Sequence, residues 1–336
     1  MVQGLQRTRR SQEGAFQLNS PRTERTRALT EGALLAALTI VMYVADIYTK
    51  LLLYVIPVPV AILVIRNGIR TGVLATLVAA LGVSAILGPI DGLIVLVRVG
   101  FIGIALGALL ARKRPWIVSL AGTSVASLAA FVSDFLLASW ASALSPGAMI
   151  AKLQDVFTEA GQRSMELYQK MGVPQETLGL VRQMTELMPV WFKTFLPAVL
   201  VIGAVFSASI AYAATRWILV RMKRDVEPIP PFADWRIDWR FAWGLIGALV
   251  LAYAVPGVNL GFVRSLAVNA VAVYVMVYSL NGIAILWSVL GSMNVPKGLR
   301  IFIALFIYMT PPLNWLLPMA GLLDGWLDFR KLASRA

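Results

Sequence analysis

The sequence of 336 residues contains no cysteine and no histidine. Without cysteine the chain has no disulfides and no thiolate chemistry, and without histidine it lacks imidazole catalysis and the commonest zinc ligand. The phosphate-binding pattern Gly-x-x-x-x-Gly-Lys-Ser/Thr is also absent. These absences predict that the protein is not an enzyme and that it carries no metal and no cofactor.

Polar residues are too few to cover a water-soluble globule, because 59% of the residues are hydrophobic and the mean hydropathy is +0.76. The chain therefore needs the lipid bilayer as part of its solvent. Its net charge of +13 comes from basic residues that lie between apolar stretches rather than along one stripe. We interpret this charge as a signal for membrane orientation and expect no nucleic-acid partner.

Long apolar stretches recur along the chain, and a spanning helix needs roughly 20 such residues. The second stretch is short and contains Pro57 and Pro59, but we count it as crossing because Arg66 and Arg70 follow it. The sequence predicts an all-α, polytopic transmembrane helix bundle. Its spans lie near residues 28–45, 51–65, 71–88, 92–111, 116–140, 191–219, 241–256, 262–291 and 299–320.

The segments that connect the spans are alternately rich and poor in basic residues. Nineteen of the 30 lie on the side of the N-terminus and seven on the other side, so the positive-inside rule predicts a cytoplasmic N-terminus. Nine crossings would leave Arg330 and Lys331 outside. A break at Pro311-Pro312 would make a hairpin that brings them inside. The sequence thus predicts either nine or ten spans.

The segments between the spans complete the predicted organisation. Residues 1–27 are arginine-rich and predict a disordered cytoplasmic tail, while residues 220–240 form a cytoplasmic loop. Trp235, Trp239 and Trp243 recur every four residues and predict a short interfacial helix in that loop. Residues 145–190, within an insert at 141–190, read as an extracytoplasmic helical hairpin. Its apolar face would lie on the membrane or over the bundle, or it is a spacer without a ligand role.

Ionisable residues at membrane depth are costly and therefore suggest function or pairing. Arg98 and Asp134 are predicted at matched depth in the outer halves of the fourth and fifth spans, which are consecutive and antiparallel. They form either a pair that locks two helices or a pocket for a polar solute. Two short outer connections border the same face, and they add the candidate binding residues Asp46, Tyr48, Lys50 and Asp91.

Small residues form flat faces on several predicted helices. Gly103 and Gly107 in the fourth span favour internal packing, and Asn269, Asn281 and Asn314 are expected to hydrogen-bond between helices. The first span has a small-residue face for close packing within the bundle or against a partner helix. This face contains Gly32, Ala33, Ala36 and Ala37.

Three segments together resemble the YybS-like family of bacterial integral membrane proteins of unknown function. The segments are Gly32-Ala33-Leu34-Leu35-Ala36-Ala37, then Ile56-Pro57-Val58-Pro59 with Arg66-Asn67-Gly68-Ile69-Arg70-Thr71-Gly72, and the ending from Gly321 to Lys331. The resemblance covers about residues 26–331. It implies a multi-pass protein of the bacterial plasma membrane.

Residues 28–219 also resemble, more distantly, the substrate-binding S components of energy-coupling-factor transporters. Ala33 and Ala37 match the Ala-x-x-x-Ala face by which those proteins meet a transmembrane coupling subunit with its ATPases. The resemblance implies a ligand pocket on the outer side. The insert and the helices of residues 241–331 are not part of that plan and put the docking of a coupling subunit in doubt.

Two hypotheses for function follow. The first is a substrate-binding component that takes up a small polar or anionic solute and depends on partner subunits for energy. The second is a membrane scaffold without a solute, acting in envelope or developmental processes. Direct contact between Arg98 and Asp134 in a sealed interface would favour the scaffold, whereas an outward cavity would favour the pocket.

Overall fold

The computed structural model describes residues 21–254 and 261–330, and all regular structure in these ranges is helical. The long helices of the first part are α1 (Pro21–Thr49), α3 (Ile69–Leu87), α4 (Pro89–Ala111), α5 (Trp116–Ala141), α6 (Pro146–Lys170) and α7 (Gln175–Arg221). Helix α2 (Val58–Asn67) is a short helix between α1 and α3. The last part contains α8 (Phe241–Leu249), α9 (Gly261–Ser292), α10 (Lys297–Met309) and α11 (Leu316–Leu327).

Six of these helices are long and apolar enough to cross a membrane, and a seventh span results if α10 and α11 count as one. The axes of those two helices differ by 108°. Two further apolar helices, within Leu52–Asn67 and Phe241–Tyr253, are shorter than a span. The nine predicted stretches thus correspond to six long helices, one sharply bent pair and two short helices.

Two expectations about the polar segments are wrong. The predicted tail is helical from Pro21 onward, while residues 1–20 lie outside the described part of the chain. The predicted interfacial helix over Trp235 and Trp239 does not form. A short 3-10 turn at Phe232–Asp234 is followed by irregular backbone up to Phe241, and the Trp235 indole donates to the Pro230 carbonyl at 3.1 Å. Prolines at positions 228, 230 and 231 keep the backbone before this turn extended.

The chain divides into two compact units. The first contains residues up to Met149 together with Gly203–Glu227, and the second contains Ile150–Ile202 and the chain from Pro228 onward. Helix α7 contributes its first part to the second unit and its last part to the first.

Helix α2 has only ten residues and lies in the interior of the first unit. Every residue from Val58 to Val64 is buried, so this helix is covered by protein on all sides rather than by lipid. At about 15 Å it is shorter than the hydrocarbon core of roughly 30 Å. Irregular backbone can lie at this depth because other helices shield it.

Glycines allow the close packing of α4 on α2 and form the tight turns at both ends of α3. A Cβ at Gly103 would lie 2.8 Å from the Pro57 carbonyl oxygen, and a Cβ at Gly107 would lie 2.7 Å from the Ala61 carbonyl oxygen. Because both residues are glycine, α4 can approach the backbone of α2 closely. The internal-packing prediction for these two glycines is confirmed. Single residues with positive φ, Gly68 (87°) and Gly88 (112°), join α3 to α2 and to α4.

Helix α7 contains 47 residues and would be about 70 Å long, more than twice the thickness of the hydrocarbon core. The second arm of the predicted hairpin and the following predicted span are therefore one continuous helix, with no break at residue 190. The arms pack on each other through Phe157 and Phe192, whose ring centres are 4.8 Å apart. The Gln154 amide donates to the Pro189 carbonyl at 3.0 Å.

In the second unit, α11 packs directly on α9. A Cβ at Gly282 would collide with the Leu317 carbonyl, and a Cβ at Gly321 would collide with the Tyr278 carbonyl. The Asn281 amide donates to the Gly321 carbonyl at 2.8 Å, which confirms its predicted interhelical bond. Asn314, by contrast, has its side-chain oxygen buried without a hydrogen-bond partner in the described residues.

Candidate functional site

An ion pair joins α4 and α5 within the first unit. The Arg98 Nε lies 2.7 Å from Asp134 Oδ2, and its Nη2 lies 2.5 Å from the same oxygen. The two side chains are 19% and 12% exposed. Because α4 and α5 are antiparallel and joined at their other ends by Arg112–Pro115, the two residues meet at one depth, as their positions in the sequence predict.

A second polar contact lies beside this pair. The Tyr43 hydroxyl of α1 donates to Asp91 Oδ1 at the start of α4 over 3.0 Å, and Tyr43 also lies within electrostatic range of Arg98 and Asp134. The Arg98 guanidinium is 5.9 Å from the centre of the Phe131 ring. Three helices thus contribute to one polar cluster, which we define as Tyr43, Asp91, Arg98 and Asp134. We call it the outer cluster after the side on which the sequence predicts it.

The ion pair leaves one acceptor open. Both guanidinium donors converge on Asp134 Oδ2, while Asp134 Oδ1 is buried and has no hydrogen-bond partner in the described residues. A buried carboxylate oxygen without a donor costs free energy, because desolvation is not compensated. The oxygen could accept a hydrogen bond from a donor that enters the cluster.

The remaining predicted binding residues lie elsewhere. Asp46 is 7% exposed, and its Oδ1 accepts hydrogen bonds from the backbone amides of Leu52 (2.8 Å) and Leu53 (3.1 Å). It therefore caps the 3-10 turn before α2. Tyr48 is 87% exposed and Lys50 is exposed as well, so the structure does not bring either into the outer cluster.

The small-residue face of α1 divides into two stripes. Gly32 and Ala36 are buried and pack inside the first unit, whereas Ala33 and Ala37 are exposed beside Leu29 and Leu34. A groove of about 420 Å³ lies between the start of α1 and α3 and is lined in part by Gly32, Ala33 and Leu74. The exposed stripe is thus free to face lipid or another helix.

Comparison with known proteins places this architecture in a family. The model of a family described as predicted membrane protein, DUF2232, matches residues 33–325, which include Arg98 and Asp134. The chain belongs to the DUF2232 family. A similar protein is the uncharacterised YybS of Bacillus subtilis (strain 168), 24% identical over 324 residues that cover 91% of this chain and 98% of that protein. No solved structure matches the chain.

The DUF2232 chain has a second buried charge cluster, in its second unit. Arg330 Nη2 lies 2.6 Å from Asp324 Oδ2, with the two side chains 1% and 0% exposed. The Arg330 Nη1 donates to the Ala233 carbonyl at 2.6 Å, and its Nη2 donates to Asn281 Oδ1 at 3.3 Å. Asp324 Oδ1 accepts from the Phe329 amide at 3.1 Å.

Sequence reasoning missed this cluster as a unit. Asp324 and Arg330 stand in the distinctive C-terminal segment, but nothing in that segment indicates Ala233, which is 97 residues away from Arg330. The available signal was the charged Asp-x-x-x-Asp-Phe-Arg pattern directly after an apolar stretch. Within the two described ranges, no group of three or more His, Cys, Asp or Glu side chains could hold a metal ion.

Proposed function

We propose that this protein of the bacterial plasma membrane binds a small polar solute from the outer side and depends on partner subunits for energy. The observation that carries the proposal is the intramembrane pair of Arg98 and Asp134 with the open Asp134 Oδ1 beside it. Charged groups at membrane depth are expensive, and they typically mark substrate paths or paired positions.

The geometry favours a solute with both an acceptor and a donor. Arg98 is 19% exposed and uses only Nε and Nη2 on Asp134, so a carboxylate or phosphate oxygen could approach the rest of its guanidinium. A hydroxyl or ammonium group on the same solute could donate to Asp134 Oδ1. Together these contacts suit a hydroxy acid, an amino acid or a similarly equipped solute.

The exposed stripe of α1 supports the partner half of the proposal. Ala33 and Ala37 leave a shallow surface on which the backbone of another helix can approach closely. In the S components that this region resembles, such a face meets the coupling subunit. Energy coupling by ATPases through this stripe is thus the expected arrangement.

A ligand screen on matched variants tests the solute proposal. The purified protein would be heated with panels of amino acids, hydroxy acids and phosphorylated metabolites, and a ligand at a hundred times its Kd should stabilise it by about 2.7 kcal/mol. The pair Arg98→Gln with Asp134→Asn should lose that thermal shift. The control pair Glu31→Gln with Arg66→Gln, which removes a 2.7 Å ion pair elsewhere in the same unit, should keep it.

Two results would contradict the proposal: a wild-type protein that none of the panels stabilises, or an Arg98/Asp134 variant that still binds its solute normally. The direct contact between the two side chains favours the second function, a scaffold in which the pair only locks α4 to α5. Under that alternative, exchanging the residues (Arg98→Asp with Asp134→Arg) should restore stability lost in either single variant, and no solute should bind.

The detailed topology belongs to the same proposal. With the N-terminus in the cytoplasm, the short helices α2 and α8 complete the alternation of sides, and α10 and α11 form a hairpin that returns the chain to the inner side. Support comes from Arg330 and Arg236, which both tie the C-terminal segment to the loop of residues 228–240. Arg236 Nη1 lies 3.6 Å from Asp328 Oδ2.

A further inference from the structure

A cleft of about 370 Å³ lies in the first unit, at the arginine-rich ends of α4 and α7. Its apolar part is formed by Ile65, Leu110 and Leu219, which belong to α2, α4 and α7. Its charged part is formed by three basic and two acidic residues of the adjoining loops: Lys113, Arg114, Arg224, Asp225 and Glu227. The cleft is therefore amphiphilic, with an apolar floor that belongs to membrane helices and a charged rim in which basic residues outnumber acidic ones.

The acidic residues of the cleft are already engaged. Asp225 Oδ2 lies 2.9 Å from Lys113 Nζ, and this contact lowers the pKa of the Asp225 carboxyl below its usual value. Glu227 Oε2 accepts the backbone N–H of Trp116, the first residue of α5, at 2.8 Å. These two bonds hold the segment after α7 against the start of α5, and they leave the charges of Lys113 and Asp225 compensated.

The two arginines of the cleft have no such compensation. Across residues 21–254 and 261–330, no carboxylate forms an ion pair with the guanidinium of Arg114 or Arg224. Both side chains are exposed. In the last two turns of α7, Trp217 is 57% exposed and the Arg221 guanidinium lies 3.8 Å from its ring centre, as expected for an aromatic anchor at a lipid–water boundary.

We propose that this cleft binds the headgroup of an anionic phospholipid. Arg114 and Arg224 contact the phosphate, and the first acyl carbons lie on the floor made by Leu110 and Leu219. Guanidinium groups recognise phosphate through paired hydrogen bonds, and basic clefts between membrane helices attract anionic headgroups. In the orientation proposed above, the cleft faces the inner leaflet. Lipid binding in this cleft does not depend on the binding of a solute at the outer cluster.

Native mass spectrometry of the full-length protein in a non-ionic detergent, titrated with phosphatidylglycerol, tests the proposal. The variant Arg114→Gln with Arg224→Gln should bind the first phosphatidylglycerol about 25-fold more weakly than the wild type, since each basic residue contributes about a fivefold factor near an anionic headgroup. The control Arg163→Gln with Arg182→Gln removes the same charge from exposed positions of the hairpin and should bind as the wild type does.

A second variant distinguishes loss of the binding site from loss of the fold. The charge-retaining pair Arg114→Lys with Arg224→Lys should keep phosphatidylglycerol binding well above that of the glutamine pair, because lysine preserves the charge but not the paired hydrogen bonds. Equal binding of phosphatidylglycerol and phosphatidylcholine by the wild type would overturn the proposal. Undiminished binding by the glutamine pair would do the same. Full displacement by millimolar inorganic phosphate would reassign the cleft to a soluble anion and equally overturn the lipid proposal.

Discussion

Asn269 of α9 makes a contact that leads to a quantitative prediction. Its side-chain oxygen accepts the backbone N–H of Ala198 at 2.8 Å, and its amide donates to the Thr194 carbonyl at 2.9 Å. In an uninterrupted α-helix these two backbone groups would bond to each other, since they are four residues apart. Pro197 lies between them in α7. A proline has no N–H and its ring presses on the carbonyl four residues earlier, so we infer that this turn is opened. The Asn269 amide bridges its two backbone groups.

Replacing Asn269 by leucine, which has a similar size but no polar atoms, removes both bonds to α7. It also removes the 2.8 Å bond from the Asn269 amide to the Ser265 carbonyl of its own helix. Ala198 is 2% and Asn269 5% exposed, so water cannot readily replace the amide. Leaving the buried Ala198 N–H and the part-buried Thr194 carbonyl without partners costs at most about 4 kcal/mol at typical values for buried polar groups. It costs about 1 kcal/mol if each bond has the average strength measured between membrane helices. We expect the variant to lose about 2 kcal/mol of unfolding free energy.

Pro197→Ala supplies the decisive background, because alanine lets the turn close and the Ala198 N–H bond to Thr194 on its own. In the Pro197→Ala background, the loss of unfolding free energy caused by Asn269→Leu should be smaller by about 1 kcal/mol or more than in the wild type. A double-mutant cycle measures this coupling directly. Unfolding in mixed micelles of non-ionic detergent and dodecyl sulfate, followed by far-ultraviolet circular dichroism, gives the free energies. The same loss from Asn269→Leu with and without Pro197 would refute the reasoning.

Two further predictions concern the C-terminal segment. Arg330→Ala should destabilise the protein by about 3–5 kcal/mol, because Asp324 would remain as an uncompensated buried charge, whereas Asp324→Leu with Arg330→Met should cost clearly less. Equal losses in the same unfolding assay would argue against the buried-charge explanation. In this cysteine-free chain, a thiol introduced by Phe329→Cys should react with an impermeant maleimide only from the inner side. Tyr48→Cys should react only from the outer side, and labelling of both from one side would rule out the proposed C-terminal return.

Some features of the candidate site could be predicted without coordinates. Arg98 and Asp134 stand near the outer ends of consecutive apolar stretches, and helical rise converts those positions into matched depths. Whether a side chain faces lipid or the protein interior is harder to predict in a membrane protein, since lipid-facing and protein-facing residues are both apolar. Asp46 illustrates the limit: its position suggested a solute site, but it bonds to the backbone amides of Leu52 and Leu53.

The sequence by itself determined the membrane class, the positions of the apolar helices and the asymmetry of basic residues, because insertion depends on sums over neighbouring residues. Only the tertiary structure showed that α2 is enclosed by protein, that Arg98 closes on Asp134, and that Arg330 reaches the Ala233 carbonyl. These features depend on contacts between residues far apart in the chain. Their free energies come from burial and desolvation in a particular packing arrangement, which hydropathy and charge patterns do not encode.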